Sequence, residues 1–162
     1  MKKFCAIAII GRDCLFREHK KWYQSFQRAN PLYSSGMRDI SFLSQDKDHK
    51  IIILDLTHHN RRPMLFKQLA YLVHPECEAV LQVSNVFQDK TKTNDLTFSM
   101  SLSLNMNKIE HSKDIGDIMR SLNLGSGHPG AAAGTIACES KEIMLKTKDR
   151  LLNEIYERFV QQ

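Results

Sequence analysis

Leu124-Gly-Ser-Gly-His-Pro-Gly-Ala-Ala-Ala-Gly134 decides how this chain is read. Four glycines and three alanines fall within Gly125 to Gly134, far more small residues than a connection between two elements needs. Glycine lets backbone approach a ligand closely and tolerates positive φ, so successive N–H groups can form an anion nest. His128 adds an imidazole able to donate to a phosphate or lie against a base. The plainer reading is a tight turn, with Gly125 as the residue past a helix end and the alanines allowing close packing. Gly125, Gly127 and Gly130 also spell G-x-G-x-x-G. A dinucleotide fold would require a strand just before that motif and an acidic residue about 20 positions later. A helix precedes it here, which excludes that reading.

Working outward, Asp114 to Leu122 has Ile115, Ile118, Met119 and Leu122 at helical spacing. Ser112 suits its cap and Asp114 its first turn. Upstream, Leu96 to Leu104 alternates strictly, with Leu96, Phe98, Met100, Leu102 and Leu104 on one side and Thr97, Ser99, Ser101 and Ser103 on the other. With Ala79 to Phe87 and a polar turn over Gln88 to Asp95, this predicts a hairpin with one polar face. Downstream, Thr135 to Cys138 reads as a last strand. Ser140 caps a final helix whose stripe is Ile143, Leu151, Ile155 and Phe159.

In the first half, Phe4 to Ile10, Arg38 to Ser44 and Ile51 to Leu54 read as strands. Leu15 to Arg28 reads as a helix, with Leu15, Trp22 and Phe26 on one face, and Ala29 to Gly36 as a loop. Pro63 suits the first position of a second helix running to Val73, stopped by His74-Pro75. The element order, β-α-β-β-α-β-β-α-β-α, predicts an α/β fold: one domain over 1–162 with a mixed sheet of about five strands and packing helices.

Composition sets outer limits. At 162 residues, 42% hydrophobic and 25% charged, the chain is ordinary for a globular fold and excludes a disordered or collagen-like one. The apolar run after Met1-Lys-Lys is too short for a signal peptide and lacks a cleavage site, and no run is long enough to span a bilayer. The four cysteines, Cys5, Cys14, Cys77 and Cys138, form no CxxC pair. Scattered thiols fit a reducing, cytoplasmic setting rather than a disulfide framework. The net charge of +5 is compatible with an anionic partner and argues against broad duplex binding.

Gly125-Ser-Gly-His128-Pro-Gly-Ala131-Ala132-Ala-Gly134 resembles the G-G-G-H-x-x-A-A-G signature of the DHH-associated domain. That domain is the C-terminal, substrate-binding half of DHH-superfamily phosphoesterases, which include exopolyphosphatase-like proteins, RecJ-type exonucleases, nano-RNases and cyclic-dinucleotide phosphodiesterases. The hairpin, short helix, motif, strand and final helix follow the family's order, so the signature-bearing part is 79–162. The resemblance implies a chain that binds a phosphorylated small molecule, short oligonucleotide or polyphosphate without catalysing alone. Its substrate-binding residues would be Gly125, Ser126, Gly127 and His128 from the motif, with Ser101 and Ser103 from the hairpin. Ser126 and Ala133 replace glycines of the signature. Ser99-Met-Ser-Leu-Ser103 lacks the arginine that often grips phosphate there, and a serine is a weaker, uncharged donor. The metal-binding catalytic half is absent, so no metal is expected in this chain. Manganese or magnesium would belong to a catalytic partner chain of the DHH type.

Asp55-Leu-Thr-His58-His59-Asn60 looks like a broken Asp-His-His motif at a strand end. A dinuclear site needs more carboxylates than Asp55 and Asp13 offer, and Arg61 and Arg62 oppose a cation. A solvent-facing loop is the favoured reading. The alternatives to a binding half are therefore a free-standing nucleic-acid-binding module, a metal-dependent hydrolase using Asp55, His58 and His59, and a structural domain forming homo-oligomers. None involves a membrane.

Overall fold

The computed structural model describes residues 39–62, 65–103 and 112–162. The strand expected at Phe4 to Ile10, the helix at Leu15 to Arg28, the loop to Gly36, the Pro63 helix start and Leu104 lie outside them. The described residues form one mixed, six-stranded sheet with helices: β1 Ile40–Ser41, β2 Ile51–Asp55, β3 Ala79–Gln88, β4 Thr91–Leu102, β5 Gly125–His128 and β6 Ala131–Ile136. The spatial order is β1-β2-β3-β4-β6-β5. Only the β2–β3 pair is parallel.

The fold class matches the sequence reading, and the glycine segment supplies the additional strand. Gly125–His128 and Ala131–Ile136 pair antiparallel as a hairpin turned at Pro129 and Gly130, with Gly127 opposite Ala132. The segment is therefore neither a nest nor a helix turn. Extended backbone points successive N–H groups to opposite sides, and no described glycine has a positive φ. The left-handed residue that ends the preceding helix α1 (Ile115–Ser121) is Asn123, at φ 53°. Asn123 and Leu124 donate their N–H groups to the carbonyls of Arg120 and Met119, the paired bonds of a Schellman ending. Gly125 is thus free to begin a strand.

Other elements differ from expectation for local reasons. The Asp114 carboxylate, not Ser112, caps α1 by accepting from Asp117 N–H, while Ser112 donates to the Gln162 carbonyl at the far end of the chain. Between Pro63 and Val73, the described helix is a short 3-10 segment, Lys67–Leu72. Of the strand expected over Arg38 to Ser44, Arg38 lies outside the described residues and only Ile40–Ser41 of the rest joins the sheet. The final helix α2 (Lys141–Gln161) is capped by Ser140 as expected, but Met144 rather than Ile143 starts its buried stripe; Ile143 is 44% exposed.

The two faces of the sheet are unlike. One carries Ile51, Ile53, Leu81, Val83, Leu96, Phe98 and Met100 against α1 and α2, forming the main core with Ile118, Ile155 and Phe159. The other carries Ile52 and Val80, covered by Ala70 and Tyr71 of the 3-10 helix. That cover stops at β4. Asp46 shapes the turn before β2: its buried carboxylate accepts from the N–H groups of Lys50 and Ile51.

Candidate functional site

Directly opposed residues of paired strands point to the same face of a sheet. Gln82 lies opposite Ser99, Ser99 opposite Ala133, and Ala133 opposite Ser126. The next row runs from Val80 through Ser101 and Ala131 to His128. On the other side, Ser84, Thr97 and Thr135 form a third row. The result is a shelf of hydroxyls and methyl groups with one imidazole, next to the part of the face that the 3-10 helix covers. Ala133, Ser126, Thr135 and His128 are exposed along it.

Of the residues expected to bind substrate, the fold brings Ser101, Ser126 and His128 onto this shelf. Gly125 and Gly127 alternate to the opposite side. A Cβ on Gly127 would sit 2.4 Å from Ala132, and a Cβ on Gly116 of α1 would sit 2.7 Å from the Gly127 carbonyl oxygen. These glycines let α1 press against the hairpin, which carries Ser126 and His128. Ser103 lies just past β4, buried, with its N–H bonded to the Glu78 carbonyl.

Three groups give the shelf its chemistry. His128 Nδ1 accepts from Gly130 N–H at 3.2 Å, so in the neutral ring Nε2 carries the proton and is a donor. Ser101 is 7% exposed and its Oγ has no hydrogen-bond partner among the described residues. Lys67, from the 3-10 helix, donates from Nζ to Ser99 Oγ at 2.6 Å. Burial pushes its ammonium down to about 8. One turn on, Tyr71 donates its hydroxyl to the Ser101 carbonyl at 2.8 Å. Burial raises the Tyr71 pKa well above the ordinary range, so it remains a proton donor.

Lys67 was not legible as a site residue. It sits 32 positions from Ser99, and only the crossing of the 3-10 helix over β4 brings them together. The one sequence signal is a lysine and a tyrosine at i and i+4 in a stretch that is apolar apart from Gln68. The arginine-free strand β4 thus has a cation beside it, drawn from another element.

The Asp55, His58 and His59 set is not assembled. Burial alone would raise the Asp55 pKa, but hydrogen bonds from Lys148 and Thr57 outweigh it, and the net shift is downward. Its Oδ2 accepts from Lys148 Nζ at 2.6 Å and its Oδ1 from Thr57. His58 and His59 instead meet Asp39, a residue of the expected Arg38 to Ser44 strand that no pattern marks as a ligand. Cys77 and Cys138 are buried free thiols, and burial raises both pKa values.

No family model and no curated protein matches the chain. Among solved structures, it is similar to the pGpG-specific phosphodiesterase PggH from Vibrio cholerae, with a TM-score of 0.57 and 19% identity. The chain shares that protein's fold. The match covers 85% of this chain and 42% of the phosphodiesterase, so the common part is less than half of the larger protein. No helix among the described residues is long and apolar enough to cross a membrane.

Proposed function

We propose that the chain is the substrate-holding part of a DHH-type phosphoesterase. It would bind the phosphate of a short oligonucleotide or dinucleotide on the shelf, against a metal-bearing catalytic partner chain. The observation that carries this reading is the convergence on one sheet face of Lys67 at Ser99 with the exposed Ser126 and His128, the buried Ser101 hydroxyl lying beneath them at the shelf's covered edge. A cation, neutral donors and small side chains leaving room above them suit an anion with a flat appendage. The likeness to a phosphodiesterase acting on pGpG supports a ligand of that size, and the glycine signature supports the family. Exopolyphosphatase-type ligands would use the same donors. Alone, the chain would bind the ligand without turning it over. Manganese or magnesium in the partner would supply activated water.

Titration of a fluorescent 5′-phosphorylated dinucleotide into the full chain, in chelator and low salt, tests the proposal. Saturable binding is expected, weakened roughly tenfold by Lys67→Met as a charge-assisted bond is lost. His128→Ala should weaken it less. Affinity should also fall as pH rises through about 8, where Lys67 loses its proton. Absence of binding by the folded wild type, or equal binding by both variants, would overturn the reading.

A further inference from the structure

Away from the shelf, the corner where β1 enters the sheet and β2 leaves it brings one carboxylate and two imidazoles together. Asp39 precedes β1, and His58 and His59 follow β2; Ile40 lies opposite Leu54 in the antiparallel β1–β2 pair. His58 Nε2 lies 3.2 Å from Asp39 Oδ1 and His59 Nε2 lies 2.8 Å from Asp39 Oδ2. One ligand atom from each residue lies within 4.8 Å of the others. The ring centroids are 4.2 Å apart.

We propose that Asp39, His58 and His59 form a binding site for a divalent transition-metal ion of the zinc class. Neighbouring ligands of a tetrahedral zinc, with bonds near 2.0–2.1 Å, stand roughly 3.4 Å apart. The two nitrogen-to-oxygen separations run to opposite oxygens of the Asp39 carboxylate, and a ligand set of one atom from each residue, lying within 4.8 Å, reaches that spacing by turning the carboxylate and the exposed His58 ring. Two imidazoles with one carboxylate suit zinc, cobalt or nickel better than magnesium or calcium, which prefer all-oxygen shells. Three protein ligands leave a fourth position for water or an anion.

The loop carrying the histidines is held in place independently. Thr57 donates its N–H and hydroxyl to Asp55 Oδ1, Lys148 secures Asp55 Oδ2, and Lys92 donates to the Thr57 carbonyl. His59 N–H closes a turn onto the Leu56 carbonyl. Asp55 therefore acts as the brace of the loop rather than as a ligand. The Asp39 carboxylate is 11% exposed, which limits competing solvation. Arg61 and Arg62 are exposed, where solvent and salt screen their charge.

The competing use of the trio is a hydrogen-bonded pair of imidazoles sharing a carboxylate, with protons where the ion would sit. Cobalt distinguishes the two. Full-length protein purified without a polyhistidine tag and stripped of metal would be titrated with Co(II), read by its visible absorption bands and by displacement with Zn(II). The expected result is one saturable site per chain. Losing a ligand should weaken it by at least the ~10-fold that losing a supporting partner costs. Asp39→Asn and His59→Gln are the direct variants. His58→Gln tests the same site at a side chain 58% exposed, where folding is not at stake. His74→Gln, at a histidine paired with Glu76, should leave binding unchanged. Zn(II) should raise the melting temperature of the wild type but not of the three site variants, because an ion that binds only the folded chain stabilises it. Failure of the folded wild type to bind Co(II), or binding that survives all three substitutions, would overturn the proposal.

Discussion

The two faces of β4 show how differently one strand is used. Leu96, Phe98 and Met100 are wholly buried against the helices. One residue along, the opposite side offers Thr97, Ser99 and Ser101 to a face that, among the described residues, is helix-covered over β2 and β3 and left open over β6 and β5. The apolar side repays desolvation with dispersion and the release of water. The polar side carries costs: a buried Ser101 hydroxyl with no partner among the described residues and a lysine whose pKa burial lowers. Unsatisfied polar groups are rare in native interiors; the core face holds one too, Asn85 Oδ1, so what sets the polar side apart is the lysine drawn to Ser99 beside exposed Ser126 and His128.

The largest test of this contrast is Phe98→Ala, which should destabilise the chain by about 3–5 kcal/mol in urea unfolding, since a buried aromatic leaves a cavity. A polar-face substitution of equal cost would erase the distinction. Next is Gly134→Ala. An added Cβ would lie 2.0 Å from the Leu124 carbonyl oxygen, and the backbone must yield, at roughly 1–3 kcal/mol by the usual cost of overpacking. The same denaturation measurement should show it.

Lys67→Met should move the other way. The folded pKa of about 8 lies below the unfolded value. Between them the unfolded chain holds a proton that the folded chain lacks, so wild-type stability rises with pH across that window. Below it the lysine is charged in both states and its desolvation penalty is fully present. The variant should be more stable at neutral pH and should lose that part of the rise with pH. The smallest effect is expected for Ser101→Ala, within about 0.5 kcal/mol of wild type and on the stabilising side if anything, because no hydrogen bond is removed. A large loss would show that Ser101 has a structural partner and would weaken the contrast between the faces.

What was readable beforehand follows the reach of each signal. The alternation in β4, the apolar run of β2 and the Ser140 cap are local patterns, and all three are present in the fold. Glycine and alanine carry no polar–apolar alternation, so Gly125 to Ala133 read as a loop although it forms two paired strands. Ile143 and Met144 fit a helical stripe about equally well. The fold buries Met144 and leaves Ile143 exposed. Lys67 at Ser99 and Asp39 at His59 are separated by 32 and 20 positions. Neither pairing has a periodicity, and both are products of tertiary crossing. The shelf was thus half visible, through Ser101, Ser126 and His128, while its cation was not.

The β3–β4 connection bears on how the molecule reaches this state. Asp89 and Lys90, the only residues between the strands, both have positive φ, at 47° and 66°, the backbone of a type I′ turn. Hairpin contacts close over short loops and form within microseconds, whereas the parallel β2–β3 pair must await a crossover. The hairpin is expected to form early, and the second residue of its turn is Lys90, held in a conformation that glycine adopts more readily. Lys90→Gly should accelerate refolding in stopped-flow while leaving the unfolding rate almost unchanged. The strand that divides core from shelf would then also be the first part of the sheet to form.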